Sequence, residues 1–424
     1  MRSLLQYSII ALLVLIIGCA SSKEISHEEI KGLPYDPPGS TVTTDKTIYP
    51  QHKRTYLFSG SKLYVSNEFT GSRLNDCYQE DDSTFVVLIE PENSPINNSA
   101  WYAFKVWSNI ERKINLKIVY KNGSHRYVPK LSYNSDAWTP IDSNFYSNDT
   151  AKGVGHLKLK VNSDTLWVSG QELLLSHYYE QWIDKLSQRP FVKKSVIGQS
   201  VNRSAINKLE IAEGIDNSDL VYIIGRQHPP EVTGAFGLIS FVEKLADNSE
   251  LSKNFRKKFR VVVIPLVNPD GVDNGQWRHN SNGVDLNRDW YALNQPETKQ
   301  VRDELLRTAN ELKGKVKFFI DFHSTQQDIF YITSKDSMLD FDPIYETTQN
   351  WFNKIHEIFP DYKLNIDESL NNNRAPTSDG WAYNAFNCPA LTYELGDETD
   401  RNLIRSICSG AAEAMIETLL KESK

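Results

Sequence analysis

The sequence predicts an α/β domain, a mixed sheet with helices on both faces, preceded by an all-β sandwich domain. Three observations predict it. From Thr55 to about Leu166, short alternating segments are separated by turn formers such as Asn122-Gly123, the pattern of a sandwich. After Pro190, short apolar runs alternate with helical stretches, which implies a sheet covered on both faces. His228, His323 and Glu394 fall at the C-terminal ends of those apolar runs, where ligands sit in such sheets.

Arg2 precedes an apolar run from Ile9 to Ile17, short for a membrane span. The run ends in Ile16-Ile17-Gly18-Cys19, which resembles the bacterial lipobox. Residues 1–18 then read as a lipoprotein signal peptide, with Cys19 as the lipidated residue. A plain signal peptide or membrane anchor with an incidental cysteine is the alternative. Lipidation would place the protein in the bacterial cell envelope, held on the outer membrane rather than the inner one by a lipid anchor.

Residues 19–50 are rich in Ser, Thr, Pro and charge and read as a tether. Residues 51–170 hold the expected sandwich, with strands at Leu63 to Val65, Phe85 to Ile89, Trp101 to Trp107, Ile114 to Tyr120 and Leu157 to Val161. It shows no ionisable cluster, so no catalysis is assigned to it. Residues 171–190 connect the two domains through a helix over Gln171 to Leu186, with Leu174, Tyr178, Trp182 and Leu186 as its apolar stripe.

Residues 191–424 form the α/β domain. Strands are expected at Lys208 to Ala212, Val221 to Ile224, Val261 to Pro265, Val316 to Ile320 and Leu391 to Glu394. Helices are expected at about 233–246, 295–312, 343–358 and 400–420.

The chain has 424 residues, enough for two or three domains with full cores. With 47 Lys and Arg against 54 Asp and Glu the net charge is −7, and no basic block occurs. Nucleic acid is excluded as a partner on that ground. Cys77, Cys388 and Cys408 are an odd number, so no complete disulfide framework follows.

In Val221 to Glu231, an apolar strand ends at Gly225 and delivers His228 and Glu231 three residues apart, on a turn stiffened by Pro229 and Pro230. An imidazole and a carboxylate from one rigid corner suit zinc, which takes three protein ligands and an open position when catalytic. His323, directly after another apolar run, is the best third ligand. Taken alone, His-x-x-Glu also reads as a helix-start turn with a solvated Glu. Trp277-Arg278 and Asn287-Arg288 lie in a loop-rich segment after the Asn268-Pro269-Asp270-Gly271 turn. Guanidinium beside Asn suits a carboxylate ligand, while surface salt bridging suits either Arg alone. Glu394 ends an apolar strand, a costly place for a carboxylate without work or a partner. Beside a metal it could take a proton from bound water, and pairing with an Arg is the alternative.

Together these residues resemble the M14 zinc carboxypeptidases in order and spacing: His228-x-x-Glu231, Asn-Pro-Asp-Gly, Trp277-Arg278, Asn287-Arg288, His323-Ser324 and Thr-Tyr-Glu394-Leu. The resemblance covers about Val192 to the C-terminus, and the β-rich segment before it is similar to the cytosolic-carboxypeptidase branch. It implies a zinc-carboxypeptidase-like fold, with one zinc ion on His228, Glu231 and His323. It also implies Glu394 as general base, Arg278 at the oxyanion, and Asn287 and Arg288 on the substrate's terminal carboxylate. A cis peptide between Ser324 and Thr325 is implied as well. The usual closing Tyr has no counterpart in Glu368 to Arg374. Asp379, in Ser378-Asp379-Gly380-Trp381, matches the acid of enzymes that accept Lys or Arg, whereas a Glu-removing enzyme would call for a cation such as Arg374.

The expected activity is zinc-dependent hydrolysis of a C-terminal peptide bond, with peptide or protein C-termini as partners. A zinc amidase acting on peptidoglycan stem peptides or small acylated substrates is the first alternative. A non-catalytic lipoprotein that binds peptides or glycans is the second.

Overall fold

Alternating strands build the first part of the chain, and continuous apolar strands between helices build the second. The computed structural model describes residues 47–214, 219–333, 343–369 and 376–423. Cys19, the tether up to residue 46, and Arg374 lie outside the described residues.

The strand-rich unit contains β1 (Thr55–Phe58), β2 (Leu63–Ser66), β3 (Asp76–Gln79), β4 (Thr84–Ile89), β5 (Ala103–Ser108) and β6 (Arg112–Tyr120). It continues with β7 (Lys130–Ser132), β8 (Thr139–Pro140), β9 (Tyr146–Asp149), β10 (Val154–Val161) and β11 (Leu166–Ser169). They form two sheets, β1-β2-β5-β11-β7-β8 and β3-β4-β6-β10-β9. All pairs are antiparallel except β4 with β6. Leu63, Val65, Phe104 and Val106 of the first sheet share one apolar core with Phe85, Val87, Leu116 and Leu157 of the second.

α1 (Ser176–Leu186) follows. Its buried stripe is Tyr179, Trp182, Ile183 and Leu186, with Tyr178 37% exposed. The expected spacing of four drifts around a helix with 3.6 residues per turn, which puts Tyr179 rather than Tyr178 inward. The expected first turn is instead extended chain. Gln171 there donates to the carbonyl of Asp397 and accepts from Arg401.

The second unit is built on β12 (Val192–Gln199), β13 (Ala205–Ile211), β14 (Asp219–Gly225), β15 (Phe259–Ile264), β16 (Val316–Thr325), β17 (Ile329–Thr333), β18 (Ile366–Ser369) and β19 (Ala390–Gly396). Its helices are α2 (Val232–Leu245), α3 (Glu250–Arg256), α4 (Pro269–Asp273), α5 (Pro296–Leu312), α6 (Pro343–Ile358), α7 (Ser378–Phe386) and α8 (Arg401–Glu422). The strands make one mixed sheet in the order β12-β13-β15-β14-β16-β19-β17-β18, parallel over the central run β15-β14-β16-β19. This is the expected α/β fold.

Alternate residues face opposite ways in a strand. Val221, Ile223, Val261, Val263, Phe318 and Ile320 accordingly join α2 and α8 on one face. Tyr222, Ile224, Val262, Ile264 and Phe319 join α5 and α7 on the other. A sheet buried on both faces reads as continuous apolar runs, which is why the central strands were visible in sequence.

The parallel ladder sets the register of the functional ends. Gly225 pairs with Phe322, and His323 pairs with Glu394. The ladder runs on through Ser324–Leu395 and Thr325–Gly396, and the Asp397 N–H donates to the Thr325 carbonyl at 2.7 Å. The Ser324–Thr325 bond is trans, against the expectation, because regular strand pairing continues across it.

α2 lies unusually close to β16. A Cβ on Gly234 would stand 2.3 Å from the carbonyl oxygen of His323 and 3.0 Å from its Cα. Backbone on both sides leaves nothing flexible to give way. Gly234→Ala is expected to cost about 1–3 kcal/mol in denaturant unfolding. Gly60→Ala, where a Cβ meets nothing within 4 Å, is expected to change stability by less than about 0.5 kcal/mol.

Candidate active site

β14 ends at Gly225, and Arg226 turns the chain with φ +56. Its Nε donates to the Pro229 carbonyl at 2.9 Å, closing the corner that carries His228 and Glu231. The C-terminal end of β16 supplies His323. All three side chains are buried.

Their donor atoms converge as the sequence predicts. His228 Nδ1 lies 2.8 Å from Glu231 Oε1, His323 Nδ1 lies 2.7 Å from Glu231 Oε2, and the two Nδ1 atoms are 3.2 Å apart. One donor atom from each residue falls within 4.8 Å of the others. Two imidazole nitrogens and a carboxylate, packed this closely and buried, fit a zinc ion by their chemistry. Burial alone would raise the Glu231 carboxyl; the two imidazoles outweigh it and hold that carboxyl well below its usual range. Burial likewise opposes protonation of His323, but Asp321 and Glu231 hold its affinity for a proton well above the ordinary value.

Each imidazole is backed by an aspartate. His228 Nε2 lies 2.9 Å from Asp285 Oδ1, and His323 Nε2 lies 2.7 Å from Asp321 Oδ2. Such contacts fix the ring and the tautomer so that Nδ1 faces the centre. Asp321 Oδ2 also accepts from Gln227 Nε2 at 2.5 Å and from the Ser378 hydroxyl. Sequence reasoning missed both aspartates. The signal for Asp321 was present: residues i and i+2 of a strand share a face, so Asp321 must lie alongside His323.

A cavity of about 410 Å³ opens beside this centre. Arg278, Asn287, Arg288, Asp379 and Glu394 all line it, with Glu231. Arg278 Nε donates to Asp285 Oδ2 at 2.6 Å. Asn287 Oδ1 accepts from the Ser378 N–H at 2.9 Å, and Arg288 Nη1 donates to the Asn287 carbonyl at 2.8 Å. Asp379 sits buried in the first turn of α7, and burial raises its carboxyl above the usual range.

Glu394 is paired across the ladder with His323. Its Oε2 is buried without a hydrogen-bond partner. Burial, and then the Glu231 carboxylate, push its pKa up to about 7.

Two features were not foreseen. Tyr331 of β17 brings a phenol to the cavity wall, although no Tyr occurs between Glu368 and Arg374. Asn97, Ser99 and Arg126 come from the strand-rich unit, to which no catalysis was assigned, and also line the cavity. Arg126 Nε donates to Asp397 Oδ2 at 2.8 Å, three residues beyond Glu394.

Residues 179–413 match the family described as zinc carboxypeptidase, Peptidase M14. An uncharacterized protein of Zymomonas mobilis is 22% identical over 349 residues, covering 78% of this chain and 87% of that protein. Human cytosolic carboxypeptidase 6 is 27% identical over 157 residues, 34% of this chain and 31% of that protein. A metallo-carboxypeptidase from Pseudomonas aeruginosa, solved in complex with (2-guanidinoethylmercapto)succinic acid, shares the fold. Its TM-score is 0.69 at 18% identity, over 85% of this chain and all (100%) of that one. A metallo-carboxypeptidase from Burkholderia cenocepacia superposes with a TM-score of 0.69 at 16% identity, over 85% of this chain and 99% of that one. Both likenesses extend beyond the family match into the strand-rich sheets.

If the backing aspartates orient the imidazoles for a metal, Asp285→Asn and Asp321→Asn should each weaken zinc binding about 10- to 100-fold with the fold retained. Competition with a chromophoric chelator measures this; unchanged affinity in both variants refutes the assignment.

Proposed function

Because the chain belongs to the zinc carboxypeptidase family, we propose that it hydrolyses the C-terminal peptide bond of peptides or protein tails. The observation that carries this reading is the convergence of His228, Glu231 and His323 beside a cavity that also holds Glu394 and three arginines, Arg126, Arg278 and Arg288. Zinc held by those three residues would polarise the scissile carbonyl and lower the pKa of bound water.

The chain's own residues divide the remaining work. Glu394 accepts the water proton at its unpartnered carboxylate oxygen and returns it to the leaving amine. A carboxyl titrating near neutrality is suited to both transfers. Arg278 faces the developing oxyanion, held by Asp285. Asn287 and Arg288 hold the substrate's free carboxylate, and that contact makes the activity an exopeptidase rather than an endopeptidase. Asp379 receives a basic terminal side chain, because a buried carboxylate disfavours a second anion and favours a cation. Cys19 carries the lipid that holds the protein on the cell envelope.

Four outcomes test this. Glu394→Gln should keep zinc and lose about 10²–10⁴-fold in kcat, read by single-residue release from peptides; comparable rates would show that water is activated some other way. Among peptides differing only at the terminus, kcat/KM should rank Lys and Arg above Leu and Glu, and Asp379→Ala should abolish the ranking. A wild type that prefers Glu rules the pocket assignment out. The Lys-to-Leu ratio should rise with pH: Asp379 binds its proton more tightly than a free carboxyl, and only the ionised form attracts the amine. For the anchor, Cys19→Ser should shift the protein from the membrane fraction to the soluble one; an unchanged distribution argues against lipidation.

A further inference from the structure

We propose that Glu92, in the strand-rich unit, is a positioning residue for Arg278, so that the two sheets are part of the catalytic apparatus. This rests on the reading of Arg278 as a group at the substrate carbonyl.

Glu92 is buried, 1% exposed. Its carboxylate accepts three consecutive backbone N–H groups from the other unit. Oε2 takes Trp277 at 2.7 Å, while Oε1 takes Arg278 at 3.0 Å and His279 at 2.8 Å. The guanidinium of Arg73 lies 3.6 Å from Oε2 and balances the charge. Three amides on one carboxylate fix the backbone on both sides of Arg278.

The flanking side chains are fixed by the same unit. Trp277 Nε1 donates to the Trp101 carbonyl at 3.0 Å, and its ring meets Tyr120 edge-on with centroids 6.1 Å apart. A Cβ on Gly123 would lie 2.5 Å from that ring, so the indole fills its slot. His279 Nδ1 donates to Asn93 Oδ1 at 2.7 Å, and Asn93 Nδ2 donates to the Gly283 carbonyl at 3.1 Å. Arg278, between them, points the other way, to Asp285 and the cavity.

Arginine is a long side chain with much rotamer freedom. It stabilises a transition state only where it is held in place beforehand. Asp285 restrains the guanidinium end; Glu92 restrains the backbone end. Without the second restraint the guanidinium is still present but displaced, and a displacement of about 1 Å can cost about a hundredfold in rate.

The test is a double-mutant cycle in the zinc-loaded full chain, measuring kcat and KM on a peptide that wild type cleaves. Glu92→Gln should lower kcat about 10- to 100-fold, with KM within about threefold and zinc content unchanged. In an Arg278→Ala background the same change should lower kcat by less than about threefold, because the group it positions is gone. Equal factors in the two backgrounds, or no effect in wild type, overturn the inference and leave Glu92 a packing residue. If Glu92→Gln does not fold, Asn93→Ala enters the same cycle: it leaves the carboxylate in place and frees His279 and the Gly283 carbonyl. Its effect should be smaller, about 3- to 10-fold, and again lost without Arg278; additivity there overturns the inference. A wild type with no chelator-sensitive release fails earlier and differently, because it removes the carboxypeptidase reading itself.

Discussion

The carboxylate of Glu231, closed in by two imidazoles, is the contact on which the rest of the site depends. A buried carboxylate is costly unless cations or hydrogen-bond donors surround it. Here the compensation comes from residues far apart in sequence, His228 on the same corner and His323 on β16. Bringing them together demands a parallel ladder in one register, with Gly225 opposite Phe322. It also demands a glycine at 234, where α2 crosses the backbone of His323. The sheet order, the strand ends and the start of α2 are all consequences of where those three side chains must meet.

A second constraint is the seam between the two units. It combines apolar packing, such as Trp277 against Tyr120, with a set of polar contacts. Glu92 holds the 277–279 backbone, Arg126 pairs with Asp397, and Lys130 pairs with Glu398 at 2.7 Å. Such pairs add little net stability: desolvation offsets most of the attraction in Arg126–Asp397, and solvent screens Lys130–Glu398, whose carboxylate is exposed. They are demanding in geometry, however, and each contacts a segment that carries a cavity residue. Asp397 and Glu398 follow Glu394 on the same strand end, and the 277–279 segment carries Arg278. A seam built this way ties the placement of Arg278 and Glu394, which line the cavity, to the strand-rich sheets.

That seam is also where sequence reading stopped. The central strands and long helices were legible because their apolar periods are local properties. Val221 to Ile224 and Val316 to Ile320 announce themselves, and 343–358 is helical from end to end as expected. The trio of His228, Glu231 and His323 was legible because each residue follows such a run. The roles of Glu92 and Arg126 were not, because each looks like an ordinary surface charge until a partner near 280 or 397 is brought against it. Short edge strands such as β17 and β18 carry too few residues to show a period. Tyr331 consequently reached the cavity unannounced. Asp379 was visible by its motif, but its environment depends on burial that only the packed α7 provides.

Several carboxylates crowd one small region, and their surroundings give them different work. Asp285 is held far below its usual range: burial opposes ionisation, but Arg278 and His228 outweigh it. It stays an anion and orients what it touches. Glu231 is likewise an anion, committed at both oxygens to imidazole. Asp379 is pushed up by burial, yet Thr377 and the Gly380 amide temper the shift, so it remains available to a cation in the cavity. Glu394 alone among these four has a buried oxygen with no partner, a neighbour of like charge, and a pKa of about 7. A strongly bound anion would hold water's proton too weakly, and a permanently neutral acid could not take it at all. When environments drive neighbouring carboxyls apart in this way, the group left near neutrality is the one fitted to move a proton in both directions. The surroundings of Glu394 meet that requirement independently of the motif in which it sits.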